Sequence, residues 1–248
     1  MQSPNLVIIP TYNEYENIQR IIEAVFALPT AFDILVIDDG SPDGTAEVVA
    51  ELQTKYPQKL FLEKRSGKLG LGTAYIHGFK WALARSYQYI IEMDADFSHP
   101  PASLPQLLAA CSEPQVGMSV GSRYIKGGKV KNWPLNRILL SFFASVYVRI
   151  VTGLPVKDTT AGFVCYKRSV LENINLDNIA FIGYAFQIEM KYAVWKLGYG
   201  LKEIPIVFTD RTEGQSKLSK GIFKEAVLGV LKIRQKNADY YRNAIAVA

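Results

Sequence analysis

Short apolar runs alternate with longer amphipathic stretches along this chain. Runs of three to five apolar residues bounded by polar or turn-forming residues predict buried strands. These runs lie at residues 6–9, 34–37, 60–62, 89–93 and 116–120, with a further strand predicted at 204–208. Apolar residues at helical spacing predict helices at 18–25, 48–52, 73–85 and 101–111. The alternation predicts a single-domain α/β fold with a mainly parallel, Rossmann-like sheet flanked by helices.

Composition fits one large globular domain. The chain has 248 residues, of which 49% are apolar and 21% charged, so it can bury a full core and is not of the disordered class. No charged segment precedes an apolar one at the N-terminus, so we expect no signal peptide. Cys111 and Cys165 lack metal-site spacing, which favours reduced core thiols in a cytoplasmic protein.

Positive charge is concentrated in residues 123–157, which contain seven Lys or Arg and no Asp or Glu. The apolar run 138–148 lies there between Arg137 and Arg149, and its eleven residues fall short of the roughly 20 that a spanning helix needs. Apolar residues flanked by cations and aromatics predict a helix that lies in the membrane interface. The alternative is a buried core helix whose arginines extend to solvent.

The triplet Asp94-Ala95-Asp96 follows the predicted strand 89–93. Because side chains alternate along an extended chain, Asp94 and Asp96 can point the same way. Two carboxylates so close favour a divalent cation, and oxygen ligands suit Mg²⁺ or Mn²⁺. A solvated turn is the alternative, since Asp is common where strands end.

Two more polar clusters follow predicted strands, Pro10-Thr11-Tyr12-Asn13-Glu14 after the first and Asp38-Asp39 after the second. In parallel α/β sheets, ligands bind at the carboxyl ends of the strands, so the three clusters together predict a pocket. The glycines of residues 67–72 match neither the dinucleotide fingerprint nor the P-loop, which disfavours an NAD-dependent enzyme and favours a flexible loop entering a helix. A nucleotide diphosphate, neutralised by a metal and by cations, fits the pocket better.

These segments resemble the inverting, nucleotide-sugar-dependent glycosyltransferases of the GT-A fold, and more closely the polyprenol-phosphate (dolichol-phosphate) mannose synthases. The resemblance covers roughly residues 5–235. The further segments that carry it are Gly121-Ser122-Arg123-Tyr124 with Gly127-Gly128, Asp158-Thr159-Thr160-Ala161-Gly162-Phe163, Phe186-Gln187-Ile188-Glu189-Met190, and Asp210-Arg211 through Gly214-Gln215-Ser216-Lys217-Leu218.

The resemblance implies a role for each matching position. The guanosine of GDP-mannose would be surrounded by Pro10, Tyr12, Glu14, Ile37 and Asp39. The sugar diphosphate would meet Asp94, Ala95 and Asp96, with Arg123, Arg211 and Lys217 holding phosphate oxygens of donor and acceptor. The catalytic residues would be Asp96, Arg123, Arg211 and Lys217, and the metal ligands Asp94 and Asp96. The acceptor side would include Arg137, Ser141, Asp158, Gln187 and Glu189. Some relatives have Gln where this chain has Ser98, whose shorter hydroxyl is a weaker oxygen donor, so a third metal ligand there is in doubt.

The expected reaction is transfer of mannose to a polyprenyl (dolichyl-type) monophosphate. Breaking the sugar–diphosphate bond leaves negative charge that a cation at Asp94 and Asp96 would stabilise. A phosphate monoester is already mostly ionised at neutral pH, so the acceptor needs cations rather than a general base. Direct displacement inverts the anomeric centre and gives a β-linked product. The alternatives are UDP-glucose or another donor, a glycan acceptor, or a nucleotide-sugar-binding scaffold on a membrane surface without catalysis.

The predicted catalytic domain spans residues 1–236, with helices on the membrane or acceptor side near 133–153 and 219–236 and a short tail at 237–248. An apolar stripe on the second of these helices favours a core-packing face; it comprises Ile222, Phe223, Ala226, Val227, Val230 and Leu231. The net charge of +5 fits an anionic partner, and no nucleic acid is expected. We expect peripheral contact with the cytoplasmic face of a membrane, directly or through a membrane-anchoring partner protein.

Overall fold

A seven-stranded sheet with the order β3-β2-β1-β4-β7-β5-β8 forms the centre of the protein. The computed structural model describes residues 3–210 and 228–244. The strands of this sheet are β1 (Asn5–Thr11), β2 (Asp33–Asp38), β3 (Leu60–Lys64), β4 (Tyr89–Glu92), β5 (Val116–Ser122), β7 (Val164–Lys167) and β8 (Gly200–Pro205). All neighbours run parallel except β7, which is antiparallel to both β4 and β5. The mainly parallel α/β sheet is confirmed.

A second, two-stranded sheet corrects one predicted strand. The run 204–208 is divided, because β8 ends at Pro205 and the chain then pairs elsewhere as β9 (Val207–Thr209). The partner of β9 is β6 (Lys129–Lys131), which lies parallel to it. Ile206 joins the two sheets, since its amide donates to Ser122 O and its carbonyl accepts from Lys129 N. Continuous hydrophobicity does not reveal such a change of partner.

Helices cover both faces of the large sheet. They are α1 (Tyr15–Phe26), α2 (Thr45–Lys55), α3 (Leu71–Leu83), α4 (Leu104–Ser112), α5 (Leu135–Thr152), α6 (Arg168–Asn173), α7 (Tyr184–Lys196), α8 (residues 228–234) and α9 (Ala238–Tyr241), with 3₁₀ turns at Pro101–Ser103 and Leu176–Asn178. Side chains of β1 alternate between two apolar cores, with Leu6 and Ile8 in one and Val7 and Ile9 in the other. Helix α3 packs closely on the sheet at Gly78, where a Cβ would lie within 2.8 Å of Ile8 Cδ1.

Strand register brings the predicted polar clusters to one edge of the sheet. Thr11 at the end of β1 pairs with Asp38 at the end of β2, and Ile8 pairs with Glu92 at the end of β4. Met93 continues beside β1 through its amide, which donates to Ile8 O. The segments after β1, β2 and β4 therefore leave the sheet side by side, as parallel strands require.

Helix α5 is longer and more exposed than the sequence predicted. It has 18 residues and includes both Arg137 and Arg149. The argument that the eleven-residue run 138–148 is too short to span a membrane therefore does not apply to the whole helix. Within residues 3–210 and 228–244 it is the single helix whose length and composition alone would allow it to cross a membrane, with a mean hydropathy of 1.4 and 17% of the segment buried. The alternative of a buried core helix is wrong, because only Ser145, Val148 and Thr152 are buried.

The described part of the C-terminal segment packs on the domain. Tyr241 is buried, its carbonyl accepts from Asn175 N at 2.7 Å, and Arg242 forms a bridge with Ile174. Of the predicted stripe, Ile222, Phe223, Ala226 and Val227 lie outside the described residues. Val230 packs in the core as predicted, whereas Leu231 is exposed and Ile233, which was not part of the stripe, is buried.

Candidate active site

The carboxylates after β4 lie at the predicted position. The Asp94 side chain is 38% exposed and accepts a hydrogen bond of 3.4 Å from the Tyr75 hydroxyl. Asp96 is more buried, and its Oδ1 accepts from Ser98 N at 3.1 Å. Burial and the charges of Asp94 and Glu92 raise the pKa of Tyr75 well above its usual value, so Tyr75 remains a donor to Asp94. The segment is a turn that also presents carboxylates, so the two interpretations of the triplet are compatible.

The donor set at this turn fits a hard divalent cation. The described residues contain no group of three or more His, Cys, Asp or Glu side chains that could hold a metal by themselves. Mg²⁺ is commonly held by one or two carboxylates together with substrate phosphates, which is what Asp94 and Asp96 would provide. Ser98 is buried beside them, and its part as a ligand stays a prediction.

His99 is a site residue that the sequence argument missed. Its Nδ1 accepts the Asp94 amide at 3.0 Å, which places the proton of the neutral ring on Nε2. The ring stacks on Phe163 with centroids 5.2 Å apart and meets Phe208 edge-on. His99 is one of two histidines in the chain and follows Asp94 by five residues, which is the signal that could have identified it.

The carboxylates after β2 are enclosed by the protein. Asp38 accepts four hydrogen bonds, from the amides of Gly40 and Ser41 and the hydroxyls of Ser41 and Thr11. Asp39 pairs with Arg65 at 2.5 Å, with both side chains 9% exposed. Arg65 was not predicted as a site residue; the contact links positions 26 residues apart.

The glycine-containing loop is attached to this second cluster. Leu69 N donates to Asp39 Oδ2 at 3.3 Å, and Arg65 also donates to Thr73 Oγ1 at 2.9 Å. Lys68 Nζ lies 5.1 Å from the centre of the Tyr12 ring. The loop enters α3 as predicted, and its contacts bring it over two residues of the predicted nucleoside side.

The other predicted nucleoside residues lie nearby. Glu14 accepts from Asn17 Nδ2 at 3.2 Å, and its amide donates to Thr45 Oγ1. Pro10 pairs in register with Ile37. The Ile37 side chain is fully buried in the core, so in this conformation only its backbone can face a ligand.

Arg123 is held in place by Asp158. Its Nε and Nη2 donate to the two Asp158 oxygens at 2.7 and 2.6 Å, its amide donates at 2.9 Å, and Nη2 also reaches Thr160 Oγ1. A bidentate pair of this kind fixes the plane of the guanidinium. Asp158 is fully buried and orients Arg123, which differs from the direct acceptor contact implied by the resemblance.

Aromatic rings surround this arginine, and a second arginine contacts one of them. The guanidinium carbon of Arg123 lies 5.2–5.5 Å from the ring centres of Tyr124, Trp133 and Phe208. Arg137 lies over the Trp133 ring at 4.0 Å and pairs with Asp210 at 3.0 Å. Ser141 is one helical turn after Arg137 on α5. Arg211 and Lys217 lie outside the described residues, and their roles stay predictions.

The two remaining acceptor-side predictions fall in the interior. Gln187 is buried and donates to Glu92 Oε2 at 2.6 Å. Glu189 accepts from the amides of Ala180 and Phe181 and from Lys236, which attaches the C-terminal segment to α7. With its side chain fully buried, Glu189 has no surface for direct contact with an acceptor in this conformation.

Comparison with known proteins agrees with this arrangement. A family model described as glycosyl transferase family 2 matches residues 6–174. The chain belongs to glycosyl transferase family 2. It is 44% identical over 225 residues to polyprenol monophosphomannose synthase from Mycolicibacterium smegmatis, covering 91% of this chain and 84% of the relative. It is 42% identical over 227 residues to undecaprenyl-phosphate mannosyltransferase from Micrococcus luteus, covering 92% of each.

Solved structures with the same fold include two transferases. Glucosyl-3-phosphoglycerate synthase from Mycobacterium tuberculosis, in complex with Mn²⁺, UDP and phosphoglyceric acid, matches with a TM-score of 0.67 at 16% identity, over 94% of this chain and 79% of that one. A mannosyltransferase from Pyrobaculum calidifontis, in complex with GDP-Man and Mn²⁺, matches with a TM-score of 0.60 at 15% identity, over 97% and 72%. The GT-A fold, the glycosyltransferase class and the resemblance to polyprenol-phosphate mannose synthases are confirmed.

Proposed function

We propose that this family 2 glycosyltransferase transfers mannose from GDP-mannose to a polyprenyl monophosphate with inversion, giving polyprenyl-phosphate β-mannose and GDP. The observation that carries the proposal is the partly exposed Asp94 carboxylate, with the more buried Asp96 two residues later, on the same sheet edge as Tyr12 and Asp39. The mannolipid synthases at 42–44% identity support the sugar and the lipid phosphate.

Each side of the site has a separate task in this reaction. Tyr12, Glu14 and Asp39 bind the nucleoside, and Arg65 keeps Asp39 in orientation. Asp94 and Asp96 would hold a divalent cation, Mg²⁺ or Mn²⁺, which would supply charge stabilisation for the leaving diphosphate. Arg123, fixed by Asp158, presents a cation to phosphate oxygens, and the ionised acceptor phosphate attacks without a general base.

Transfer of radiolabelled sugar into an organic-extractable lipid tests the proposal. GDP-mannose and UDP-glucose are compared on the same polyprenyl phosphate, with Mg²⁺, with Mn²⁺ and with chelator. We expect label only from GDP-mannose and only with metal. A lipid product from UDP-glucose alone would replace the donor assignment, and the absence of any lipid product would remove the proposed function.

We also propose that α5 contacts the cytoplasmic face of a membrane. Its exposed apolar residues are Leu135, Leu139, Leu140, Phe142, Phe143 and Ile150. A continuous apolar face of this size favours a lipid or protein surface, and Arg137 and Arg149 suit anionic headgroups. This apolar surface fits two routes to the membrane: direct contact with lipid, and docking on a membrane-anchoring partner protein.

Co-sedimentation with anionic vesicles distinguishes these two routes. Changing both Leu140 and Phe143 to Ser should weaken vesicle binding roughly 30- to 1,000-fold, because each residue loses about 1–2 kcal/mol of apolar burial and 1.4 kcal/mol is about tenfold. Tyr15→Ser is the matched control, since Tyr15 is similarly exposed on α1. Equal binding by both variants would mean that α5 does not enter the lipid and would leave the partner as the route.

A further inference from the structure

Lys191 is a fully buried lysine in the middle of α7. Its Nζ donates to Ala161 O at 2.6 Å, to Gln187 O at 3.2 Å and to Gln187 Oε1 at 3.5 Å. Three acceptors match the three protons of an ammonium group. Burial lowers the pKa of Lys191 to about 8, while Glu92 and Asp158 oppose the change, and the three acceptors around Nζ favour the ammonium form.

The Ala161 carbonyl belongs to the loop that orients Arg123. Asp158 lies three residues before Ala161. Its two carboxylate oxygens accept the two hydrogen bonds of the bidentate pair with Arg123. Glu203 fixes the start of this loop by accepting from the amides of Lys157 and Asp158, at 2.8 and 3.0 Å. Lys191 fixes the middle of the loop through the Ala161 carbonyl.

The same lysine is connected to the strand that carries the metal-binding turn. Gln187 accepts from Lys191 and donates to Glu92 Oε2 at 2.6 Å, and Glu92 is the last residue of β4, two positions before Asp94. Tyr166 donates to the other Glu92 oxygen at 3.1 Å. One buried chain of hydrogen bonds therefore joins β4 to the Arg123 loop beneath the site.

We propose that Lys191 is a positioning residue for sugar transfer, which sets Arg123 relative to Asp94 and Asp96 by fixing the Ala161 carbonyl. The kinetic part of this inference rests on the proposed function. A side chain needed only to fill the interior would be apolar, because burying an ammonium costs several kcal/mol and an apolar residue of similar volume is often neutral or stabilising. The ammonium group of Lys191 instead holds the loop that contains Asp158 and Ala161 in position.

Kinetics of Lys191→Met test this role, because Met keeps the volume and removes the charge and the donors. We expect kcat/KM for the polyprenyl phosphate to fall about 10- to 100-fold, while the Kd for GDP stays within about threefold, since a small displacement of a phosphate-holding group lowers rate more than nucleoside affinity. Tyr192→Phe is the matched control on the same helix: its hydroxyl donates to Arg234 O, away from the loop.

A double-mutant cycle separates positioning from general stability. If Lys191 acts through Asp158, adding Lys191→Met to Asp158→Asn should lower kcat/KM by less than about threefold more, whereas independent effects would multiply. Multiplying effects, or a Lys191→Met rate equal to wild type, would overturn the inference. If Lys191→Met does not fold, Lys191→Gln takes its place in the same cycle. Effects of Lys191→Gln and Asp158→Asn that multiply would overturn the inference too.

Hydrogen exchange supplies a readout that does not need activity. Amides of residues 159–163 should exchange about tenfold faster in Lys191→Met than in wild type and at wild-type rates in Tyr192→Phe. Unchanged exchange in that segment would overturn the inference even where no lipid product is found. If the wild-type protein has no transfer activity, the proposed function is wrong, and hydrogen exchange alone then tests the connection between Lys191 and the loop.

Discussion

Two pairs of acidic residues lie at the carboxyl ends of strands β2 and β4 of the same sheet, and the pairs differ in how far the protein encloses them. Asp38 and Asp39 after β2 are enclosed, with hydrogen bonds from Thr11, Ser41 and Arg65. Asp94 after β4 instead leaves 38% of its side chain accessible. In sequence the two clusters look alike, as two carboxylates behind an apolar strand.

The difference lies in how far each carboxylate is enclosed by the protein. A carboxylate that already accepts several hydrogen bonds inside the protein keeps a fixed orientation and fixes the loops that donate to it. A carboxylate at an open turn retains the capacity to meet a cation and the phosphates that accompany it. We therefore assign shape and nucleoside orientation to the β2 pair, and chemistry to the β4 pair.

The largest expected effect is that of Asp96→Asn. Removing one carboxylate from the proposed cation site should lower the transfer rate about 100- to 1,000-fold, because charge stabilisation of the leaving group is lost. The rate is measured by transfer of labelled mannose to lipid at saturating metal. Asp177→Asn, on the exposed 3₁₀ turn at Leu176–Asn178, is the control and should keep the wild-type rate. Activity of Asp96→Asn within threefold of wild type would refute the division of tasks.

Arg65→Met tests the enclosed pair. Because both partners are 9% exposed, leaving Asp39 without its cation should lower the free energy of unfolding by about 3 kcal/mol. The donor KM should rise about tenfold with kcat within about threefold, since nucleoside binding is affected and the cation site is not. Chemical denaturation and donor titration measure the two effects. Lys64→Met is the adjacent control: its exposed pair with Glu47 should contribute about 0.5 kcal/mol or less. A kcat loss as large as that of Asp96→Asn would break the comparison.

Much of this contrast could not be read from the sequence. Strand ends were predictable because continuous apolar runs mark buried parallel strands, and the rule for their carboxyl ends placed the three clusters together. Partners were not predictable, since periodicity shows which face a residue occupies and not what it meets. The contacts of Arg65 with Asp39, Arg123 with Asp158, and Lys191 with Ala161 span 26 to 35 residues.

The short antiparallel strand was missed for a related reason. β7 has four residues and directly follows the segment Asp158–Phe163, which we interpreted as a binding motif. Its insertion between β4 and β5 brings that motif toward the Asp94-Ala95-Asp96 segment that follows β4. The predicted acceptor-side residues Asp158, Gln187 and Glu189 are buried, and their contacts inside the protein depend on the tertiary fold and not on sequence spacing.

His99→Phe tests the support of Asp94, the more exposed carboxylate of the β4 pair. The substitution keeps a ring to stack on Phe163 and removes the acceptor for the Asp94 amide. The constant for activation by Mn²⁺ should rise about tenfold, which is typical of losing a residue that orients a metal ligand. His99→Asn is the matched variant, because its side-chain oxygen can take the place of Nδ1, and it should restore most of the affinity. Weakening in His99→Asn but not in His99→Phe would show that the ring, and not the hydrogen bond, is what matters.

Asp38→Asn should have the smallest effect on transfer and so gives the sharpest limit on the comparison. The asparagine oxygen can still accept from the Gly40 and Ser41 amides, and the hydroxyls of Ser41 and Thr11 can rotate to accept from its amide group. We expect a loss of about 1 kcal/mol in the free energy of unfolding, because charge-assisted hydrogen bonds become neutral ones, and a transfer rate within about twofold of wild type. Denaturant unfolding and the lipid-transfer assay on the same preparation measure both. A rate loss without a stability loss would mean that Asp38 acts on the substrate, and the two acidic pairs would then share the chemistry rather than divide it.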